Sequence, residues 1–153
     1  MKDEKRIKYE KAVVRRALKI LEQQMNYGTT QFCETAVAKT YTRLKIGARK
    51  QEVFLVLFLT NQNKLLAAEE MFQGTIDGAS VYPREIMKRA LELNAAKIIV
   101  SHNHPSGDVL PSEADKALTR RIQTACNALD IALLDHIVVS TYESYSFAEN
   151  RIL

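Results

Sequence analysis

The chain has 153 residues, 46% of them hydrophobic and 26% charged, and a formal net charge of +4. This length is enough for one domain with its own core. The composition is that of an ordinary globular protein and excludes collagen-like, disordered and disulfide-stapled classes.

The sequence also indicates a compartment. The first eleven residues are charged and lack the apolar stretch of a secretory signal. No apolar run approaches the roughly 20 residues that a membrane-spanning helix needs. The two cysteines, Cys33 and Cys126, lie far apart without a CxxC partner, and we interpret both as buried thiols of a reducing compartment rather than a disulfide. We therefore expect a cytoplasmic protein with no membrane partner.

The first predicted element is a basic amphipathic helix from about Asp3 to Met25. One apolar stripe repeats at spacings of seven, four, three and four: Ile7, Val14, Leu18, Leu21 and Met25. Residues 1–50 carry 13 Lys+Arg against 5 Asp+Glu. This charge could attract nucleic acid or an acidic partner, but we favour the simpler interpretation that it forms a solvated helix surface. We assign residues 1–28 to this extension and residues 29–153 to one domain.

A helix and a hairpin come next. Thr29 or Thr30 can cap a second helix that ends near Gly47. Residues 52–59, EVFLVLFL, are apolar on both faces and predict a central strand. After a turn, residues 65–72 can return as its hairpin partner.

The remaining elements alternate between helix and strand. After a loop at Gly74 and Gly78, a helix is predicted from Pro83 to about Asn94. A buried strand over 97–101 and a helix from Ser112 to about Leu129 follow it. The last predicted strand covers 131–140 and is followed by a short polar end. The order helix, helix, strand, strand, helix, strand, helix, strand predicts a mixed β-sheet flanked by helices, an α/β or α+β domain.

The segment SHNHPSGDVLPSEAD, residues 101–115, indicates chemistry. If the strand continues through His104, then His102 and His104 point to the same side, because side chains of a strand alternate. The chain then reverses, and Asp115 falls in the first turn of the next helix, near the strand end. Two imidazoles and a carboxylate, with a position left for water, are the ligands of a catalytic zinc site. We predict one zinc ion per chain.

Several alternatives accompany this interpretation. Ser112 and Asp115 also fit a capping box, whose role is only to begin a helix. Asp108 is a carboxylate of the right type, but its loop position favours Asp115. His136, on a buried strand, is interpreted as a hydrogen-bonded core residue. Iron, cobalt or manganese can occupy a similar ligand set.

The complete spacing, H-x-H-x7-S-x2-D, resembles the metal-binding signature of the JAB/MPN metalloprotease-like domains, also called JAMM. Two segments, TIDGASVYPREIMKRALELNAAKIIVSHNHPSGD and LLDHIVVS, resemble the RadC-type bacterial proteins, historically named as DNA repair factors. The resemblance covers about residues 30–153, and the helix before it resembles the front of short RadC-like members. It implies the JAB/MPN, cytidine deaminase-like, architecture.

The resemblance also implies residue roles. His102, His104 and Asp115 match the zinc ligands, and Ser112 matches a serine that orients water or stabilises an oxyanion. Glu52 matches the general base, which takes a proton from the attacking water and passes it to a leaving amine. The alternatives for the base, by residue type alone, are Glu69, Glu70 and Glu85.

Two functions follow as expectations. The first is a zinc-dependent hydrolase that cleaves peptide or isopeptide bonds in a substrate that the sequence does not identify. The second is a non-catalytic zinc-binding module in DNA repair or mobile-element biology. Longer RadC-type proteins resemble a fusion with a helix-hairpin-helix DNA-binding region, which is not apparent here, so we expect weak nucleic-acid binding. The sequence leaves the oligomeric state open.

Overall fold

The computed structural model describes residues 2–27, 35–74 and 80–153. Its elements, in chain order, are α1 (Lys2–Tyr27), α2 (Thr35–Ile46), β1 (Val53–Leu59), β2 (Leu65–Gln73), α3 (Pro83–Glu92), β3 (Lys97–Asn103), α4 (Glu113–Ala128), β4 (Ala132–Val139) and β5 (Ser144–Ser146). The predicted fold class, a mixed sheet flanked by helices, is confirmed. The polar end after β4 contains one additional short strand, β5.

The sheet explains why the centre of the chain is so apolar. Its strand order is β2-β1-β3-β4-β5, with β3 and β4 parallel and the other neighbouring pairs antiparallel. All seven residues of β1 are buried, as expected of a central strand with both faces covered. Because α4 connects the parallel strands β3 and β4, it begins at the same end of the sheet where β3 finishes.

Alternate residues of the strands build two cores on opposite faces of the sheet. One core lies under α3 and α4 and includes Phe54, Val100 and Leu118. The other lies under α2 and includes Leu55 and Ile99. Even-numbered residues at the end of β3 therefore face α4, and odd-numbered residues face α2.

Only part of the predicted apolar stripe of α1 is packed. Leu18 and Leu21 contact the core under α2, and the hydroxyl of Tyr41 donates a hydrogen bond to Glu22 Oε1 at 2.6 Å. Residues 3–16 are exposed, including Ile7 and Val14. The predicted boundary at residues 28 and 29, the proposed cap at 29 or 30, and Cys33 lie outside the described residues, so that boundary stays a prediction.

Two further expectations concern the described residues. Cys126 is a free, buried thiol, and burial raises its pKa to about 11. Across the three described ranges, no helix combines the length and the apolar character that crossing a bilayer requires.

Candidate metal centre

The two histidines lie at the end of β3, on the face covered by α4. His102 pairs with Phe54 of β1 and with Val138 of β4, and its ring stacks on the Phe54 ring at 6.2 Å between centroids. The backbone N–H of His104 donates to the carbonyl of Val139 at 2.9 Å, so the pairing with β4 continues one residue past the strand. This pairing puts both imidazoles on one side, as the alternation predicts.

Asp115 is held by the start of α4. The backbone N–H and the hydroxyl of Ser112 both donate to Asp115 Oδ2, at 2.7 and 2.8 Å, while the Asp115 N–H donates to Ser112 Oγ at 3.1 Å. Ser112 is therefore the N-cap of a complete capping box. Because Oδ2 accepts both bonds from Ser112, Oδ1 is the oxygen that faces His102.

The three side chains converge at a spacing that suits a metal ion. His102 Nε2 lies 3.0 Å from His104 Nε2 and 3.1 Å from Asp115 Oδ1, and His104 Nε2 lies 3.4 Å from Asp115 Oδ2. One ligand atom from each residue lies within 4.8 Å of the others. A tetrahedral ion with bonds of about 2.0–2.1 Å separates its ligand atoms by roughly 3.3 Å. The trio matches that separation.

The chemistry of these atoms also fits a cation. His104 Nδ1 lies 2.7 Å from the carbonyl oxygen of Asp108, which can only accept, so Nδ1 carries the proton. In the neutral ring, Nε2 then presents a lone pair toward His102 and Asp115. Asp108 thus contributes its carbonyl, while its carboxylate accepts from the N–H of Leu110 at 3.0 Å.

The electrostatics agree with this conclusion. The hydrogen bond with Asp115 is the largest influence on His104 and raises its pKa, against the opposing effect of burial. Burial alone would raise the pKa of Asp115, but the imidazoles of His102 and His104 beside it hold that pKa well below its usual range. The site therefore attracts positive charge, and a divalent metal ion fits its residues.

Glu52 lies immediately before β1. Continuing the β1–β3 register, which pairs Phe54 with His102, brings residue 52 opposite His104. The charge of Glu52 contributes to the raised pKa of His104, and Glu52 lines a surface cleft with Pro105.

The alternative glutamates are engaged elsewhere. Glu69 pairs with Arg89, Glu70 pairs with Arg49, and Glu85 lies beside Arg84. Among the four glutamates considered, the structure brings Glu52 close to His104. Its role as base stays a prediction, as does the role of Ser112 in orienting water, because the Ser112 hydroxyl proton points to Asp115.

Asn103 is a site residue that sequence reasoning missed. Its fully buried side chain accepts from the N–H of Val53 at 2.7 Å and donates to the carbonyls of Arg49 and Gln51, each at 3.1 Å. These bonds fix the backbone on both sides of Glu52. Asparagine between two histidines was the only sequence signal, and its partners are about fifty residues away.

Close packing also fixes the backbone at Gly47, shortly before the residues that Asn103 holds. A Cβ atom on Gly47 would lie 2.5 Å from the carbonyl oxygens of both Arg43 and Ser140. Only glycine allows this close approach of α2 to the turn after β4. That turn and residues 47–50 border a cleft that reaches His104.

His136 is a buried, hydrogen-bonded residue, as predicted, but it also contacts His102, one of the candidate metal ligands. Its Nε2 lies 2.8 Å from His102 Nδ1, and its Nδ1 lies 2.6 Å from the hydroxyl of Thr119. Burial, followed by the influence of His102, lowers the pKa of His136 well below its ordinary value. Neither contact is visible from the sequence, because His136 and Thr119 come from different elements.

Comparison with known proteins agrees with this geometry. A family model described as the RadC-like JAB domain matches residues 32–152. A UPF0758 protein of Vibrio cholerae is 49% identical over 92% of this chain and 88% of its own length. The UPF0758 protein YkfG of Escherichia coli K12 is 42% identical over 94% of this chain and 91% of its own length. A UPF0758 protein of Cellvibrio japonicus is 55% identical over 74% of this chain, which is 50% of that relative. The chain belongs to the RadC-like JAB domain family.

Proposed function

We propose that this chain is a zinc-dependent hydrolase of the JAMM type that cleaves a peptide or isopeptide bond. The observation that carries the proposal is the convergence of His102 Nε2, His104 Nε2 and Asp115 on one point at the end of β3. Three protein ligands leave a coordination position for water, as in catalytic rather than closed structural zinc sites.

In this proposal, His102, His104 and Asp115 hold the metal. Zinc, when bound, lowers the pKa of water toward about 7 and polarises a substrate carbonyl. Glu52 accepts the proton of the attacking water and returns it to the leaving amine. Asn103 supports this role because its hydrogen bonds fix the backbone around Glu52.

Ser112 has two successive tasks in the proposed reaction. Its hydroxyl holds Asp115 Oδ2 in the resting chain. To stabilise an oxyanion, the hydroxyl has to rotate and give up that bond. The N–H of Ser112, which also donates to Asp115 Oδ2, keeps the carboxylate in place meanwhile.

The second candidate is a non-catalytic zinc-binding module that binds nucleic acid. What favours it is α1, whose residues 3–16 are exposed and which carries eight Lys and Arg against four Asp and Glu. Binding of this kind depends steeply on salt. A DNA affinity that is undetectable, or that does not change with salt, removes this candidate.

Metal analysis tests the common part of both candidates. The chain is purified without chelator and its zinc is measured, beside His102→Ala, His104→Ala and Asp115→Ala. We expect about one zinc per wild-type chain and a loss in all three variants. No zinc, even after zinc is offered to the folded chain, contradicts both candidates. Reconstitution with iron, cobalt or manganese compares the metals that suit the same ligands.

Hydrolysis then separates the two candidates. A library of peptides and isopeptide-linked peptides is screened for zinc-dependent cleavage. Glu52→Gln should retain zinc but lose cleavage, while Glu85→Gln, half-exposed in the first turn of α3, is the matched control and should keep both. Full cleavage by Glu52→Gln would remove the assignment of Glu52 as base.

A further inference from the structure

We propose that His136 is a positioning residue that fixes the proton of His102 on Nδ1 and so presents His102 Nε2 to the metal. This inference deepens the proposed zinc site and rests on it. It is carried by a chain of buried hydrogen bonds that runs from Asp115 through Thr119 and His136 to His102. In each of these hydrogen bonds, the donor can be identified from the preceding bond in the series.

The assignment of donors and acceptors begins at Thr119, on α4. Its hydroxyl oxygen lies 2.7 Å from the backbone carbonyl of Asp115 and 2.6 Å from His136 Nδ1. A carbonyl oxygen can only accept, so the one hydroxyl proton is donated to Asp115. The second contact then requires His136 Nδ1 to carry a proton and donate it to Thr119.

The surroundings of His136 determine the next step. The residue is fully buried, and its ring stacks on Phe147 at 4.7 Å between centroids and meets Phe54 edge-on at 5.8 Å. These apolar walls favour a neutral ring, because an uncompensated charge is costly there. A neutral ring with its proton on Nδ1 has an unprotonated Nε2, which can only accept.

His102 is therefore the donor in the last bond. His102 Nδ1 lies 2.8 Å from His136 Nε2 and has to supply the proton. With the proton of the neutral ring held on Nδ1, the lone pair of His102 lies on Nε2, the atom that faces His104 and Asp115 and that would bind the metal. The reverse tautomer would place a proton where the metal is to bind.

The two histidine ligands thus have different supports. The carbonyl of Asp108, on an exposed loop, accepts the Nδ1 proton of His104. For His102, a buried side chain on β4 does so, and it is linked to the backbone of the third ligand through Thr119. A group behind a metal ligand typically changes metal affinity by about 10–100-fold when it is removed.

Three substitutions separate proton order from packing. His136→Phe keeps a ring between Phe54 and Phe147 but has no acceptor for His102, so we expect zinc affinity to fall about 10–100-fold. His136→Gln restores a side-chain oxygen that can accept from His102, and we expect most of the affinity to return. Thr119→Val removes the hydroxyl that fixes His136, and we expect a smaller loss. Affinity is measured by competition with a zinc chelator of known strength.

Nitrogen-15 NMR of the metal-free wild type tests the tautomers directly and requires neither a variant nor zinc. We expect the Nδ1–H tautomer at both His102 and His136, and a mixture at His102 in His136→Phe. An Nε2–H tautomer of either residue in the wild type overturns the inference. So does unchanged zinc affinity in a folded His136→Phe, or a loss in His136→Gln equal to that in His136→Phe.

The two proposals can fail separately. If the wild type binds no zinc, the proposed function fails while the NMR measurement still decides the proton order. If zinc binds as proposed but His102 carries its proton on Nε2 in the metal-free chain, only the role of His136 is lost.

Discussion

His102 and Asn103 are neighbours on β3, yet they serve the site from opposite faces of the sheet. His102 faces α4, where its ring lies against Phe54 and reaches Asp115 and His136 through side-chain contacts. Asn103 faces the other way, and its hydrogen bonds within the described part of the chain join it to backbone atoms of residues 49, 51 and 53. One face therefore gathers the candidate ligand atoms, and the other positions the segment that contains Glu52.

The difference shows how a short motif can control two separate functions. The alternation of a strand sends the histidines to one face and the intervening residue to the other. Metal binding should then depend on the residues that face α4. The position of Glu52, the proposed base, should depend on the residues that face α2. Substitutions on the two faces ought to have separable effects, which the following predictions test.

The largest effect is expected at Asp115, on the ligand face. Asp115→Asn retains a side-chain oxygen for the capping bonds from Ser112 but lacks the negative charge between the two histidines. Zinc affinity should fall by more than the roughly 100-fold upper value for a group behind a ligand. Chelator competition measures it, with Asp108→Asn as the control, because that carboxylate binds a backbone N–H of its own loop. Equal losses in both variants contradict the ligand assignment.

The next effect is expected at Asn103, on the opposite face. Asn103→Leu leaves the buried N–H of Val53 without its acceptor, which costs about 2 kcal/mol of unfolding free energy. The folded variant should still bind zinc, but cleavage should fall because Glu52 is no longer held. Denaturant unfolding measures the first effect and metal analysis the second. Asn127→Leu, on the exposed side of α4, is the matched control and should change stability little. Loss of zinc in Asn103→Leu would break the separation of the two faces.

The sequence could predict the residues of the ligand face, but not the hydrogen bonds that hold them and the neighbouring segment in place. β1 is a continuous apolar run, β3 contains the apolar residues 98–100, and the His-x-His spacing works within one strand, so local patterns are sufficient. The capping box likewise joins Ser112 to Asp115 within one turn. These features depend on neighbours in the chain.

The missed features depend on contacts between distant segments. Asn103 meets residues about fifty positions earlier, and His136 meets Thr119 only because β4 returns beside α4. β5 has just three residues, Ser144–Ser146, too few for alternation to stand out in a polar segment. Its position comes from pairing with β4, which no local pattern records.

The ligand face should also respond to pH. Its hydrogen bond with Asp115 raises the pKa of His104, and the protonated ring cannot bind metal. Zinc affinity should therefore fall about tenfold per pH unit below that pKa and level off above it. In the metal-free chain, folding stability depends on the protonation of His104 in the opposite sense, because the protonated ring is the form that Asp115 stabilises. The stabilisation from His104 is complete below its unfolded pKa, about 6.5, and is lost as pH rises through the folded value.

Two titrations check this prediction. Zinc affinity is measured across pH 5 to 8 by competition, and the His104 ring is followed by NMR without metal. In Asp115→Asn the pKa of His104 should be lower than in the wild type, because the ionised partner is gone. An affinity that does not vary across this range, or an unchanged His104 in the variant, contradicts the coupling.

The smallest effect is expected at Ser112, where capping and the proposed catalytic role coincide. Ser112→Ala removes the hydroxyl that accepts from the N–H of Asp115, and should cost about 1 kcal/mol of unfolding free energy. Zinc should stay bound, since the N–H of residue 112 still donates to Asp115 Oδ2. Ser106→Ala, in the exposed loop, is the control for stability. If Ser112→Ala also loses cleavage while it keeps zinc and most of its stability, the hydroxyl acts in the reaction as well as in the cap. If cleavage is unchanged, the Ser112 hydroxyl serves only to hold Asp115 and to cap α4, and it takes no part in the reaction.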